Sequence, residues 1–138
     1  MSNSKTPRKV CLVGCLMLAF TLSALGSEGS PVTQCFEKAW AHINDGGLGM
    51  PRGLAVELCR GATEVEEVTQ CYEKAWAHPS EGGLGMPRGL AVDLCKGANN
   101  AKKVTECYEK AWAHPDDGGL GLSRKLAVDL CTSTTNGK

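Results

Sequence analysis

The chain has 138 residues, with 15 Lys and Arg against 15 Asp and Glu, and 42% of it is apolar. That length holds one domain or one short repeat array. The zero net charge excludes the basic excess expected of a broad nucleic-acid or anionic-membrane surface.

Met1–Val10 is polar and basic through Lys5, Arg8 and Lys9, and Cys11–Leu25 is a nearly uninterrupted apolar run. Ala24-Leu25-Gly26 then places small residues where a signal peptidase reads. This layout predicts a secretory signal peptide over residues 1–26. An uncleaved membrane anchor is a competing reading, but the run of about 15 residues falls short of the ~20 needed for a span. A lipidation site at Leu12-Val13-Gly14-Cys15 is another, although the apolar segment follows Cys15 instead of preceding it. Cleavage after Gly26 leaves 12 Lys and Arg against 15 Asp and Glu, a mildly acidic balance with no stable membrane insertion and no nucleic-acid partner expected. It also leaves six cysteines: Cys35, Cys59, Cys71, Cys95, Cys107 and Cys131. An even count behind a signal peptide predicts a disulfide framework in a secreted, extracellular or other oxidising export compartment.

Residues 27–31 form a short polar lead-in. Three near copies of a 36-residue unit follow, at 32–67, 68–103 and 104–138, the mark of stacked supersecondary units. The copies differ most at their junctions. Thr63–Glu67 is acidic and Asn99–Lys103 basic, and both read as solvated linkers.

Each unit reads as two short helices. In the second, Thr69 is placed to cap a helix continuing through Gln70–Ala77. Cys71, Tyr72, Ala75 and Trp76 share one face of it, with Glu73, Lys74 and Ala77 on the other. His78-Pro79 ends that helix, because a residue before Pro is pushed out of the α region. Ser80–Met86 is a glycine-rich turn. Pro87 suits the start of the next helix, and Ser123, at its place in the third unit, could cap there. Leu90, Ala91, Val92, Leu94 and Cys95 give the second helix an arc wide enough for two neighbours. Val68 and Leu84 are expected to close the ends of the hairpin core. Gly97 suits a left-handed helix stop, and Thr132-Ser133 in its region of the third unit predicts a fraying end. The expected fold is therefore all-α, with three tandem disulfide-pinned αα-hairpins forming a short α-solenoid.

An antiparallel hairpin sets the start of one helix beside the end of the other. This favours Cys35–Cys59, Cys71–Cys95 and Cys107–Cys131, each closing a loop of roughly 25 residues worth about 3 kcal/mol. The alternative, Cys59–Cys71 with Cys95–Cys107, would leave Cys35 and Cys131 single.

Trp40, Trp76 and Trp112 recur once per unit, with Arg52, Arg88 and Arg124 a loop away. Trp and Arg are favoured in binding hot spots, so these six are the candidate contacts to an extracellular macromolecule. The alternative is that each Trp packs into its own hairpin. His42, His78 and His114, with Asp45, Glu81 and Asp117, are the residues from which a metal site could be built. Each loop offers only two or three ligands, so no metal is assigned. In the plainer reading the His suits a helix end as a cation and the acids form turns. The GGLG run before a helix lacks the Lys-Ser/Thr and the preceding strand of a phosphate loop. No cofactor signature is present. Three equal copies also argue against an active site, which needs one asymmetric constellation, so no enzyme is expected.

CYEKAW, GGLGMPR and LAVDLCKGA together resemble the cysteine-containing helical-hairpin repeats of secreted proteins of uncharacterised function, over Val32–Lys138. More loosely, the period and the turn-then-helix order look like tetratricopeptide-related exported repeats with one disulfide per hairpin. The cysteines here alternate at 24 and 12 residues, wider than in that branch. The resemblance implies an α/α array with a binding or scaffold role. A precursor releasing three disulfide-bonded peptides is a second possibility, suggested by Lys102-Lys103 at one junction, and a small metal-handling protein a third.

Overall fold

The computed structural model describes residues 29–135. The expected signal peptide and the first two residues of the lead-in, 27 and 28, lie outside the described residues, and Pro31 of the lead-in already belongs to the first helix. Six α-helices are present: α1 (Pro31–Trp40), α2 (Arg52–Cys59), α3 (Val65–Trp76), α4 (Arg88–Cys95), α5 (Ala101–Trp112) and α6 (Arg124–Thr135). Between the helices of each pair lies a short 3-10 turn, and no strand occurs among the described residues.

Each odd helix pairs with the next even one, giving three hairpins, and the hairpins stack. α3 packs on α1 and on α5, while α4 packs on α2 and on α6. The odd helices therefore form one layer and the even helices a second. The core lies between them, in one continuous cluster running from Cys35 to Cys131. The wide apolar arc of α4 serves both its own hairpin and its neighbours, with Ala91, Val92, Leu94 and Cys95 all buried.

Bridges join Cys35 to Cys59, Cys71 to Cys95 and Cys107 to Cys131, one per hairpin, with Cα atoms 5.5, 5.5 and 5.7 Å apart. The cross-junction pairing is not formed.

Several local expectations are corrected. Thr69 does not cap a helix. It lies inside α3, fully buried, with its hydroxyl donating to the carbonyls of Val65 and Glu66. Thr105 repeats the arrangement in α5. The charged junctions are accordingly not linkers throughout, because they contain the first turns of α3 and α5. Asn100 is the cap of α5, its side-chain oxygen accepting from the Lys103 amide at 2.9 Å. Glu67, on α3, reaches across the junction and accepts from the Ala101 amide at 2.6 Å, so one hairpin helps to start the next. Without the glycine that stops α2 and α4, α6 continues to Thr135. Ser123 does cap α6, accepting from the Leu126 amide at 3.4 Å, while Pro51 and Pro87 stand one residue before their helices. Gly97 adopts φ 71°, the left-handed stop expected of it. Val68 is buried in the core and Leu84 half-buried against it.

Tyr72 and Tyr108 sit deep in the stack, and neither hydroxyl has a hydrogen-bond partner. Burial raises both phenol pKa values above the ordinary 10.0, partly offset by the charges of Arg88 and Arg124. Below pH 10 the phenol is neutral in both states and the shift has no effect on stability, while its buried, unpartnered hydroxyl carries a desolvation cost; above pH 10 the unfolded chain ionises first and stability falls. The first unit carries Phe36 at this place. Tyr72→Phe should therefore raise stability by about 1 kcal/mol in thermal unfolding at neutral pH. It should also flatten the fall in stability above pH 10. A less stable variant would mean that the hydroxyl is bonded.

Candidate functional site

Trp is the last residue of α1, α3 and α5, and Arg is the first of α2, α4 and α6. They are 12 residues apart in sequence and brought together by the loop. The loop folds back along the helix it has just left. In the second unit the amides of Leu84, Gly85 and Met86 donate to the carbonyls of Lys74, Ala77 and Ala75. These bonds satisfy acceptors that a helix C-terminus otherwise leaves open. The return path passes so close that a Cβ on Gly83 would lie 2.0 Å from the Ala77 carbonyl oxygen. Gly85 has φ +60°, which turns the chain toward Arg88.

The guanidinium carbon of each Arg then sits over its Trp ring, at 4.6 Å for Arg52–Trp40, 4.7 Å for Arg88–Trp76 and 5.1 Å for Arg124–Trp112. On the helix side each Trp lies nearly parallel to the ring four residues before it. Phe36–Trp40, Tyr72–Trp76 and Tyr108–Trp112 have centroids 6.4, 6.3 and 6.4 Å apart. Trp is thus packed and exposed at once. Trp40, Trp76 and Trp112 keep 46, 37 and 46% of their surface accessible. The expectation that Trp76 shares the buried face of Cys71, Tyr72 and Ala75 holds only in part, because its ring stands at the edge of that face.

Beside each of the first two indoles is an open groove. Trp40, His42, Asp45, Gly49 and Met50 line one, and Trp76, His78, Glu81, Gly85 and Met86 the next. A third cleft of ≈ 630 Å³ spans the junction of the last two hairpins, between His78 and Pro79 on one side and Glu109, Trp112 and Arg124 on the other. There Arg124 donates to the Gly85 carbonyl at 3.2 Å and closes the floor. Sequence reasoning missed Met50, Met86, Pro79 and Glu109 as parts of these grooves. Recurrence of Met just before each helix-starting Pro was the available signal for the first two.

The histidines stand two residues past the last residue of each odd helix and belong to the turn that follows. His42, His78 and His114 each begin the 3-10 turn, with Nδ1 accepting from the amide two residues on, at 3.1, 3.2 and 3.2 Å. His114 Nδ1 also lies 3.3 Å from the Asp116 carboxylate. Asp45, Glu81 and Asp117 complete the 3-10 turns. Among the described residues no three His, Cys, Asp or Glu side chains converge as a metal site would need. Lys102 and Lys103 lie within the first turn of α5, where Lys102 pairs with Glu106 at 3.6 Å.

What the site offers is therefore a row of similar tiers along one edge, each an accessible indole under a guanidinium beside an open groove. Neighbouring helices pack about 8–10 Å apart, which sets the interval between tiers. No family model, curated protein or solved structure matches this chain.

Proposed function

We propose that the protein is a secreted, non-enzymatic repeat protein that binds an extended extracellular macromolecule along the Trp/Arg edge. The observation that carries this reading is the threefold Arg-over-Trp tier, kept accessible in every repeat. Burial alone would account for an indole closed off from solvent. It does not account for three that stay more than a third open, aligned with a groove and a cation. The three bridges are compatible with an oxidising compartment. The repeat resemblance, with its implied scaffold role, points the same way.

Release of three separate peptides is less well supported. The dibasic pair is helical, and the hairpins are joined by Glu67 to the Ala101 amide and by Lys38 to Glu66 at 2.7 Å.

The test is a screen of the oxidised protein against arrays of extracellular glycans and secreted or ectodomain proteins. Trp40→Ala, Trp76→Ala and Trp112→Ala should each lower binding to any hit by roughly tenfold or more, since hot-spot truncations cost above about 1–2 kcal/mol. The triple variant should abolish it while its circular dichroism stays helical. Binding that survives the triple variant would refute the edge as the site.

A further inference from the structure

The ends of the stack differ from its middle in a regular way. At the first hairpin Val32 is 40% and Val56 49% exposed, whereas their counterparts Val68, Val104, Val92 and Val128 are 2% exposed or less. With Thr33, Phe36 and Cys59 these two valines line an open apolar groove of ≈ 340 Å³. At the last hairpin Leu120 is 55% and Leu126 56% exposed. Leu48, at the place of Leu120, is buried, and Leu54 and Leu90, at that of Leu126, are half-buried. Leu130 is 43% exposed where Leu58 and Leu94 are 0%.

The difference is one of neighbours. α3 is covered by α1 and α2, and α4 by α2. α5 is covered by α3 and α4, and α6 by α4. The first hairpin thus presents the face that the other two bury against their predecessors. The last presents the face that the other two bury against their successors. Because the repeats are near copies, the two end faces are complementary to each other, and neither is complementary to itself.

We infer that the first hairpin of one copy of this chain docks on the last hairpin of a second copy, head to tail, in the geometry of the internal junctions. The polar links of the junction between the second and third hairpins have counterparts across the new one. Lys74 lies 3.9 Å from the Glu109 carboxylate, and the same step in register pairs Lys110 with the second copy's Glu37. Both of these residues are exposed. Arg124 bonds the Gly85 carbonyl, and the same step offers the Gly121 carbonyl to the second copy's Arg52. The Glu67 cap has no counterpart, since Lys103 stands at its place, so the joint is weaker than an internal one. A contact of this kind is heterologous. It continues into rings or open filaments and does not stop at a dimer. The Trp/Arg row then runs on from copy to copy.

The test is light scattering and sedimentation of the oxidised protein, as recovered after export, across concentration. The expected result is a series of species extending beyond the dimer. Val56→Glu and Leu126→Glu each place a charge in one end face, on an exposed side chain whose loss does not threaten folding. Each variant alone should stay monomeric, with association weakened at least about tenfold. Mixed together they should form a one-to-one pair and nothing larger, because each keeps one working face. Glu37→Lys or Lys110→Glu alone should weaken assembly, and the two combined in one chain should restore it. A wild-type monomer at every concentration would overturn the inference. So would dimers of either Glu variant alone, which would show a symmetric contact.

Discussion

Gly83→Ala should destabilise the protein by about 3 kcal/mol or more, a cost at the upper end of overpacking effects. The reason is local and severe. The added methyl would meet the Ala77 carbonyl oxygen at 2.0 Å, its carbon at 2.3 Å and the Ala77 side chain at 2.5 Å. None of the backbone atoms can move away without breaking the turn, because the Gly85 amide donates to that same carbonyl at 2.9 Å. Gly47 and Gly119 meet Ala41 and Ala113 in the same way and should behave alike. By contrast Gly89, with nothing within 4 Å of its added Cβ, lies inside α4. Gly89→Ala should gain helix propensity, by about 1 kcal/mol at most. Thermal or urea unfolding of the two variants checks the contrast. Equal stability of Gly83→Ala and the wild type would refute the close return of the loop. The functional consequence follows from the same geometry. The turn that Gly83 permits delivers Arg88 onto Trp76, so a displaced loop should also lower binding at that tier.

Removing the central bridge should have the other large effect. Cys71→Ala with Cys95→Ala should cost about 3 kcal/mol from loop-closure entropy alone, for a loop of roughly 25 residues. The short helices have little to fall back on, since helices of about 10 residues are marginal in isolation. The central hairpin should suffer most, because α3 and α4 each contact both flanking hairpins. The pair Cys107 and Cys131 lies in a hairpin that contacts one neighbouring hairpin among the described residues, and its loss should spread less. Chemical denaturation of the three double variants gives the ranking. A central variant as stable as the parent would mean that packing between hairpins, not the bridges, holds the stack.

Much of this was legible in the sequence because it repeats. The 24-residue cysteine interval, the Pro-to-Ser exchange at Pro51, Pro87 and Ser123, and the arc from Leu90 to Cys95 are local patterns with one physical reading each. Thr69 misled because the same residue type serves two purposes. At a helix start Thr caps, and inside a helix its hydroxyl can bond the carbonyl one turn back. The charged run before it hid an additional turn. The Glu67 cap on Ala101 joins residues 34 apart and leaves no pattern in a single unit. The site was half legible. Recurrence singled out Trp, Arg, His and the acids, but only the folded loop shows that Arg lies on Trp, that His caps the turn, and that the indole stays open. The unlike ends of the stack were invisible, because Val32 and Val68 are the same residue in the same motif and differ only in what covers them.

That each bridge closes its own hairpin, on which the layers, the Trp/Arg edge and the two end faces all depend, is tested most directly by peptide mapping of the oxidised protein without reduction. The expected result is Cys35 linked to Cys59, Cys71 to Cys95 and Cys107 to Cys131, with no other cystine peptide among these six. Cys59 linked to Cys71, or Cys95 linked to Cys107, would contradict it.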